Sequence, residues 1–437
     1  MNLSSPPPAG SQFEAQVHAP MMTGAAKVMV NAEALAVVGL LDAAEIGYAD
    51  MTAIELRDYA VTVKTPGGNW VFSRMGQGCQ PFHDALLACY NDAVLEALFA
   101  AGTPLVTANG AYDALELGLR RGGHAPVRLY ENCLCLLPPD VGARRVPLCF
   151  VSGMEAKDYA LRLTLSSGEQ YTMEKMGYDF APMAAGVEGQ LRALGEQTLR
   201  AVKALDPSLT PTQAAGITRL MRAGTAAPMG VLAGIAPSFV PALEAKLADS
   251  RARESYRALV EMCGRDALWI GFKENTSRAA GEADDPCMLW LMAPAPAGGA
   301  CAVEFAGEAE DAAATFVYRF EGDFEAFARQ LNRALEAIDF RREVIRLSEG
   351  ELLRPENARY RMAVQRNSAL GLVRARLLGR VIHNGGWQQR LLELWAVAAS
   401  QAEAAPQIEA EPPRFCSGCG AKLGEGARFC GKCGHPV

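Results

Sequence analysis

The chain has 437 residues, half of them hydrophobic and 21% charged, with a net charge of −7. That length exceeds one hydrophobic core and predicts roughly 2–4 domains of ordinary soluble composition. The acidic balance argues against a protein that binds nucleic acid over its whole surface, and twelve cysteines in so long a chain do not read as a disulfide framework.

Residues 1–10 carry neither a basic segment nor an apolar run of the kind that directs export, and residues 1–24 read as a disordered N-terminus. From residue 25 a repeat begins. Residues 48–81 and 148–182 run in parallel at a spacing of about one hundred. Asp58-Tyr59-Ala60 returns as Asp158-Tyr159-Ala160. An alternating strand follows each mark, with Tyr59, Val61 and Val63 in the first and Tyr159, Leu161, Leu163 and Leu165 in the second. A glycine turn and a second strand come next, ending in Met75-Gly76 and Met176-Gly177, with one residue added in the second strand or turn. Pro81 and Pro182 then open apolar helical patterns, where proline suits a first turn. Further short strands are predicted upstream, at 27–30 with 35–38 and at 127–130 with 133–137.

Strands closed by one terminal helix, twice over, resemble pleckstrin-homology-like (PH-like) domains in tandem, at 25–103 and 104–206. Such domains often bind lipid headgroups through basic residues in the first hairpin. Here the corresponding positions hold Asn31 and Glu33, and Glu131 and Asn132, so lipid binding is not carried over. A rigid surface for protein partners is the other use that the resemblance implies.

Cys79, Cys89, Cys133, Cys135, Cys149, Cys263, Cys287 and Cys301 are scattered through apolar runs. They read as buried small hydrophobes, with a second metal site at Cys133, Cys135 and Cys149 as the alternative. Residues 207–263 read as helical, with Thr210 as an N-cap. Within them, the uncharged stretch 223–243 is interrupted by three prolines and three glycines, and reads as a buried helical passage rather than a membrane span. Strands return across 264–340 and end in a helix, an α+β unit that could be a third, diverged copy. Residues 341–400 form an arginine-rich helical segment with eleven arginines, four glutamates and no aspartate between 341 and 390. The arginines either pair with the acidic body or face an acidic partner, protein or nucleic acid. A polar linker of Ala, Glu, Gln and Pro occupies 401–413.

The last segment, 414–437, carries the clearest chemistry. Cys416-Ser-Gly-Cys419-Gly420 is followed, after ten residues, by Cys430-Gly-Lys-Cys433-Gly434. Two residues between cysteines let a tight turn aim two thiolates at one point, and the following glycine accepts a left-handed backbone. Two such knuckles give four sulfurs, the set that tetrahedral Zn²⁺ takes in closed structural sites. The paired Phe-Cys-x-x-Cys-Gly pattern at Phe415 and Phe429 closely resembles the short C-terminal zinc ribbons of many bacterial proteins. It implies Cys416, Cys419, Cys430 and Cys433 as ligands of a structural zinc. No coordination position is left for catalysis there, and His435 reads as a tail residue.

Elsewhere no nucleophile, nucleotide or metal motif gathers around His18, His83, His124 or His383. Gly76-Gln77-Gly78 reads as a strand end. Asp58 and Asp158 read as turn residues rather than a catalytic pair. The sequence therefore predicts an α+β chain: tandem antiparallel sheet-plus-helix units, helical segments and a small ribbon. The expected function is a non-enzymatic cytoplasmic scaffold or adaptor whose ribbon contacts a protein partner. The alternatives are nucleic-acid binding through the ribbon and the arginine-rich helices, and an enzyme with a site between domains.

Overall fold

A computed structural model describes residues 10–222, 224–274, 287–306 and 314–404. The first sheet is antiparallel and has seven strands: β1 (Ser11–His18), β2 (Thr23–Val30), β3 (Ala34–Val38), β4 (Ala43–Gly47), β5 (Ala53–Arg57), β6 (Ala60–Thr65) and β7 (Gly68–Ser73). Their order is β4-β3-β2-β1-β7-β6-β5, so the last strand returns to lie antiparallel beside the first. Helix α1 (Cys79–Ala97) follows and buries Phe82, Leu86, Tyr90 and Val94 against Val17, Val28, Val61 and Phe72. The expectation of disorder up to residue 24 is corrected by β1. There Phe13, Ala15 and Val17 alternate with polar residues and face the core, the period of two that marks a half-buried strand.

The second sheet repeats the order with β8 (Val106–Glu116), β9 (Leu119–Leu129), β10 (Cys133–Leu136), β11 (Arg144–Pro147), β12 (Val151–Lys157), β13 (Ala160–Leu165) and β14 (Gln170–Glu174), arranged β11-β10-β9-β8-β14-β13-β12. Helix α2 (Phe180–Leu205) follows.

The recurring Asp-Tyr pair is the two-residue turn between β5 and β6 and between β12 and β13. Asp58 and Tyr59 have φ of 48° and 57°, and Asp158 and Tyr159 have 53° and 57°. Positive φ at both central residues defines the type I′ turn, whose twist matches that of paired strands. Tyr59 thus sits on an exposed tip instead of starting a strand, and Ala60 opens β6. The extra residue of the second copy lies in the next turn. Thr65 pairs with Gly68 across Pro66-Gly67, whereas Leu165 donates its N–H to the Glu169 carbonyl across three residues.

The two units meet through β5. The Ile54 N–H donates to the Pro139 carbonyl at 2.8 Å, and the Val141 N–H donates to the Thr52 carbonyl at 3.2 Å. Alternation along β10 explains how both sides are filled. Leu134 and Leu136 enter the core of their own unit, while Cys133 and Cys135 face the first one.

A third sheet has six antiparallel strands in chain order: β15 (Ala226–Pro228), β16 (Trp269–Glu274), β17 (Cys287–Pro294), β18 (Ala300–Ala306), β19 (Ala314–Arg319) and β20 (Leu377–Ile382). It runs from 226 to 382, across the boundaries expected at 264 and 340, and its order differs from the one the first two sheets share. One face packs against α3 (Pro211–Leu220), α4 (Met229–Ile235), α5 (Phe239–Ala248), α6 (Arg253–Cys263) and α12 (Trp387–Ala404). The other packs against α7 (Phe324–Ala337) and α11 (Ser368–Arg376). Gly271 makes room for the buried Trp290 indole, whose ring atoms come within 2.2 Å of where a Cβ would stand.

The all-helical expectation for 207–263 and 341–400 is corrected at β15 and β20. Backbone groups at the ends of this sheet need partners, and segments distant in sequence supply them. Thr210 does cap α3, with Gln213 completing a capping box. Residues 223–243 hold β15, α4 and the start of α5, and among the described residues no helix is long and apolar enough to cross a membrane.

Candidate metal centre and its attachment

Helix α12 leads toward the cysteine-rich segment, and its mooring is specific. Leu391, Trp395 and Ala398 are buried in the third sheet's core. Just before the helix, the His383 ring lies 4.8 Å from the Trp387 ring. His383 Nε2 is 2.9 Å from Thr315 Oγ1 and 3.3 Å from Glu304 Oε2. Thr315 donates to the same carboxylate oxygen at 2.6 Å. Glu304 is fully buried, and its other oxygen has no partner among the described residues. No motif in the sequence singled out His383 or Glu304, because strand alternation conveys burial but not the identity of a partner on the next strand.

The arginine-rich segment turns inward. Ahead of α11 come the short α8 (Glu343–Arg346) and α9 (Glu349–Leu352) and then α10 (Ala358–Gln365), which lies against α1. Arg361 bonds Asp50 at 2.7 Å, and Arg359 donates to the Glu96 carbonyl at 3.0 Å and stacks over Phe99. Arg366, 1% exposed, donates to the Tyr90 hydroxyl at 2.7 Å. Arg342 lies over Phe305, and Arg376 over Phe327. Arg374 bonds the carbonyls of Val344 and Leu347 as well as Glu349. These contacts favour pairing with the body over display to an acidic partner.

A buried ionic belt joins the second unit to α7. Arg333 Nε meets Glu169 Oε2 at 2.9 Å, and its Nη2 donates to the Arg145 carbonyl at 2.9 Å. Arg145 bonds Glu336 at 2.5 Å. Nearby, Arg144 bonds Glu116 at 2.9 Å, and the hydroxyls of Tyr171 and Ser368 donate to the same carboxylate.

Burial pushes the Glu116 carboxyl up, but Arg144, Tyr171 and Ser368 outweigh it and hold the group below its ordinary value. A depressed carboxylate stabilises the fold above its unfolded pKa and loses that contribution as pH falls through the folded one. Glu116→Gln is therefore expected to flatten the acid limb of stability below about pH 4.5. Urea unfolding at stepped pH checks this; an unchanged limb would place the acid sensitivity elsewhere.

Cys133 and Cys135 lie beside this belt on one face of β10. Hydrogen bonding to Cys135 holds the Cys133 thiol low against burial, with Arg145 adding to the effect. Cys149 packs in the second unit's own core, where burial pushes its thiol up to about 12. Among the described residues no group of three His, Cys, Asp or Glu side chains is placed to hold a metal. His18 and His124 are exposed, His83 lies 3.4 Å from Asp84, and Asp58 and Asp158 occupy separate hairpin tips.

Cys416, Cys419, Cys430, Cys433 and His435 lie outside the described residues. A family model described as a zinc-ribbon domain matches residues 415–437 and implies zinc binding there. The donor set fits that ion, since two Cys-x-x-Cys pairs supply the four thiolates of a closed structural site. No curated protein matches the chain.

Proposed function

We propose that the protein is a non-enzymatic cytoplasmic scaffold whose C-terminal ribbon docks a protein partner. The body reads as two PH-like units and a third α+β domain locked into one support. Cys416, Cys419, Cys430 and Cys433 hold one structural zinc, and the firmly moored α12 precedes that module in the chain.

The observation that carries this reading is the inward turn of the arginines. Arg359, Arg361 and Arg366 bind the first unit, while Arg342, Arg374 and Arg376 bind within the third. Charge used in this way is withdrawn from phosphate binding, which needs exposed cations and shows a steep salt dependence.

The test is affinity capture from lysate with three baits: the full chain, a chain ending at Ala404, and the full chain with Cys430→Ser. A discrete protein held by the first and lost from the other two supports docking through the zinc-held ribbon. Capture of nucleic acid that nuclease removes and moderate salt abolishes would replace this reading with nucleic-acid binding.

A further inference from the structure

We infer that the chain associates head to tail with further copies of itself, through the β3–β4 loop of one copy and the β12 edge of the next. This does not depend on the ribbon. It follows from comparing the two ends of the paired units, one of which is already joined inside the chain.

The internal junction supplies the template. The loop between β10 and β11 reaches the β5 edge of the first unit, where Ile54 and Thr52 form its backbone bonds and the Tyr90 hydroxyl donates to the Asp140 carbonyl at 3.1 Å. The equal strand order assigns each of these parts a counterpart. Val37 and Leu35 pair with Val28 and Val30 as Leu136 and Leu134 pair with Val127 and Leu129. The loop 39–42 therefore corresponds to 137–143.

On the receiving side, the Thr52 hydroxyl donates to the Lys64 carbonyl at 3.1 Å, and the Ser152 hydroxyl donates to the Thr164 carbonyl at 3.1 Å. Ser152 and Met154 thus correspond to Thr52 and Ile54. In both hairpins a two-residue turn sets the ladder, and counting back in alternation aims the residue 54 and 154 N–H groups away from the neighbouring strand.

Among the described residues no strand or loop pairs with either counterpart, although Arg222 donates to the Val151 carbonyl where β12 begins. The unit with a filled edge has a bare loop: Leu40 and Leu41 are 94% and 91% exposed, and Met21, on the turn at the same end of the sheet, is 85% exposed. The unit with a docked loop has a bare edge, with Ser152 and Gly153 exposed at the bulge where β12 bends. Glu155 and Lys157 do not block this edge, because Glu55 and Arg57 hold the same positions on the filled one.

The first loop is shorter than the second, spanning four residues against seven. Its tip is correspondingly apolar. By the helix offset, Leu191 of α2 stands where Tyr90 stands in α1, so a leucine replaces the polar hydroxyl on the receiving side. Leucines on the loop meet leucine and methionine on the edge. Such an interface joins different surfaces of identical chains and extends into a file or closes into a ring.

The test uses the full zinc-loaded chain in sedimentation velocity over a wide concentration range. The parent is expected to pass from monomer to species larger than a dimer. Leu40→Asp with Leu41→Asp removes one end, and Met154→Pro removes the other; an outward N–H on an edge strand tolerates proline. Each variant alone is expected to stay monomeric with unchanged circular dichroism. Mixed together, they keep one intact end each and are expected to form a one-to-one pair that grows no further. A parent monomeric at every concentration overturns the proposal, as does association that either variant leaves intact. If both variants abolish association but their mixture forms no pair, the head-to-tail assignment is overturned as well.

Discussion

Replacing Arg333 by methionine is expected to lower the unfolding free energy by about 3–5 kcal/mol, the usual consequence of removing one partner from a buried ion pair. Glu169, 3% exposed, would keep its charge while losing its main cation, and the Arg145 carbonyl would lose a donor. Methionine fills comparable space, so little of the loss comes from a cavity. Adding Glu169→Gln to Arg333→Met is expected to restore much of the stability, because the stranded carboxylate then disappears. Denaturant unfolding of the parent, the single variant and the double variant measures both changes. A single-variant loss under about 1 kcal/mol, the range of an exposed pair, would mean that water reaches this belt and that it does not tie the second unit to α7.

Chelating zinc, or replacing Cys430 by serine, is expected to abolish metal binding and unfold the ribbon while leaving the body intact. The segment 414–437 has few apolar residues, so the metal supplies its fold, with an apparent binding energy on the order of 10 kcal/mol. Native mass spectrometry should show one zinc per parent chain and none for Cys430→Ser. Amide exchange should speed up across the ribbon, with thermal unfolding of the body unshifted. A body that melts earlier in step with metal loss would contradict a ribbon that folds separately. A parent chain without zinc would overturn the four-ligand assignment.

What could be read in the sequence divides by the range over which the cause acts. The cysteine spacing is complete within 18 residues, from Cys416 to Cys433, so its chemistry is legible there. The Asp-Tyr pair is equally local. Asp58 and Asp158 were legible as turn residues, but the strand before each was not, and a tyrosine beside Val61 and Val63 reads as strand until the positive φ is seen. In β1, Phe13, Ala15 and Val17 alternate with Gln12, Glu14, Gln16 and His18; this period of two was legible, but it stood in a stretch read as disordered.

β20 was hidden by its arginine and by helical spacing on both sides; the paired β19 decides its conformation. The belt was the least legible. Arg145 and Glu336 are 191 positions apart, and only the assembled sheets show that they meet. A charged residue in a sequence reads as surface unless its partner is known, and here the partners belong to different units.

Arg361 reaches Asp50 across 311 positions, and Arg366 reaches Tyr90 across 276. On a ribosome adding about 5–20 residues each second, the first unit waits roughly 15–60 s between emerging and receiving those contacts. Through that interval Asp50 and the Tyr90 hydroxyl lack their arginine partners. The late arginines act as a closing clasp, so the earliest part of the protein to be made is among the last to be finished.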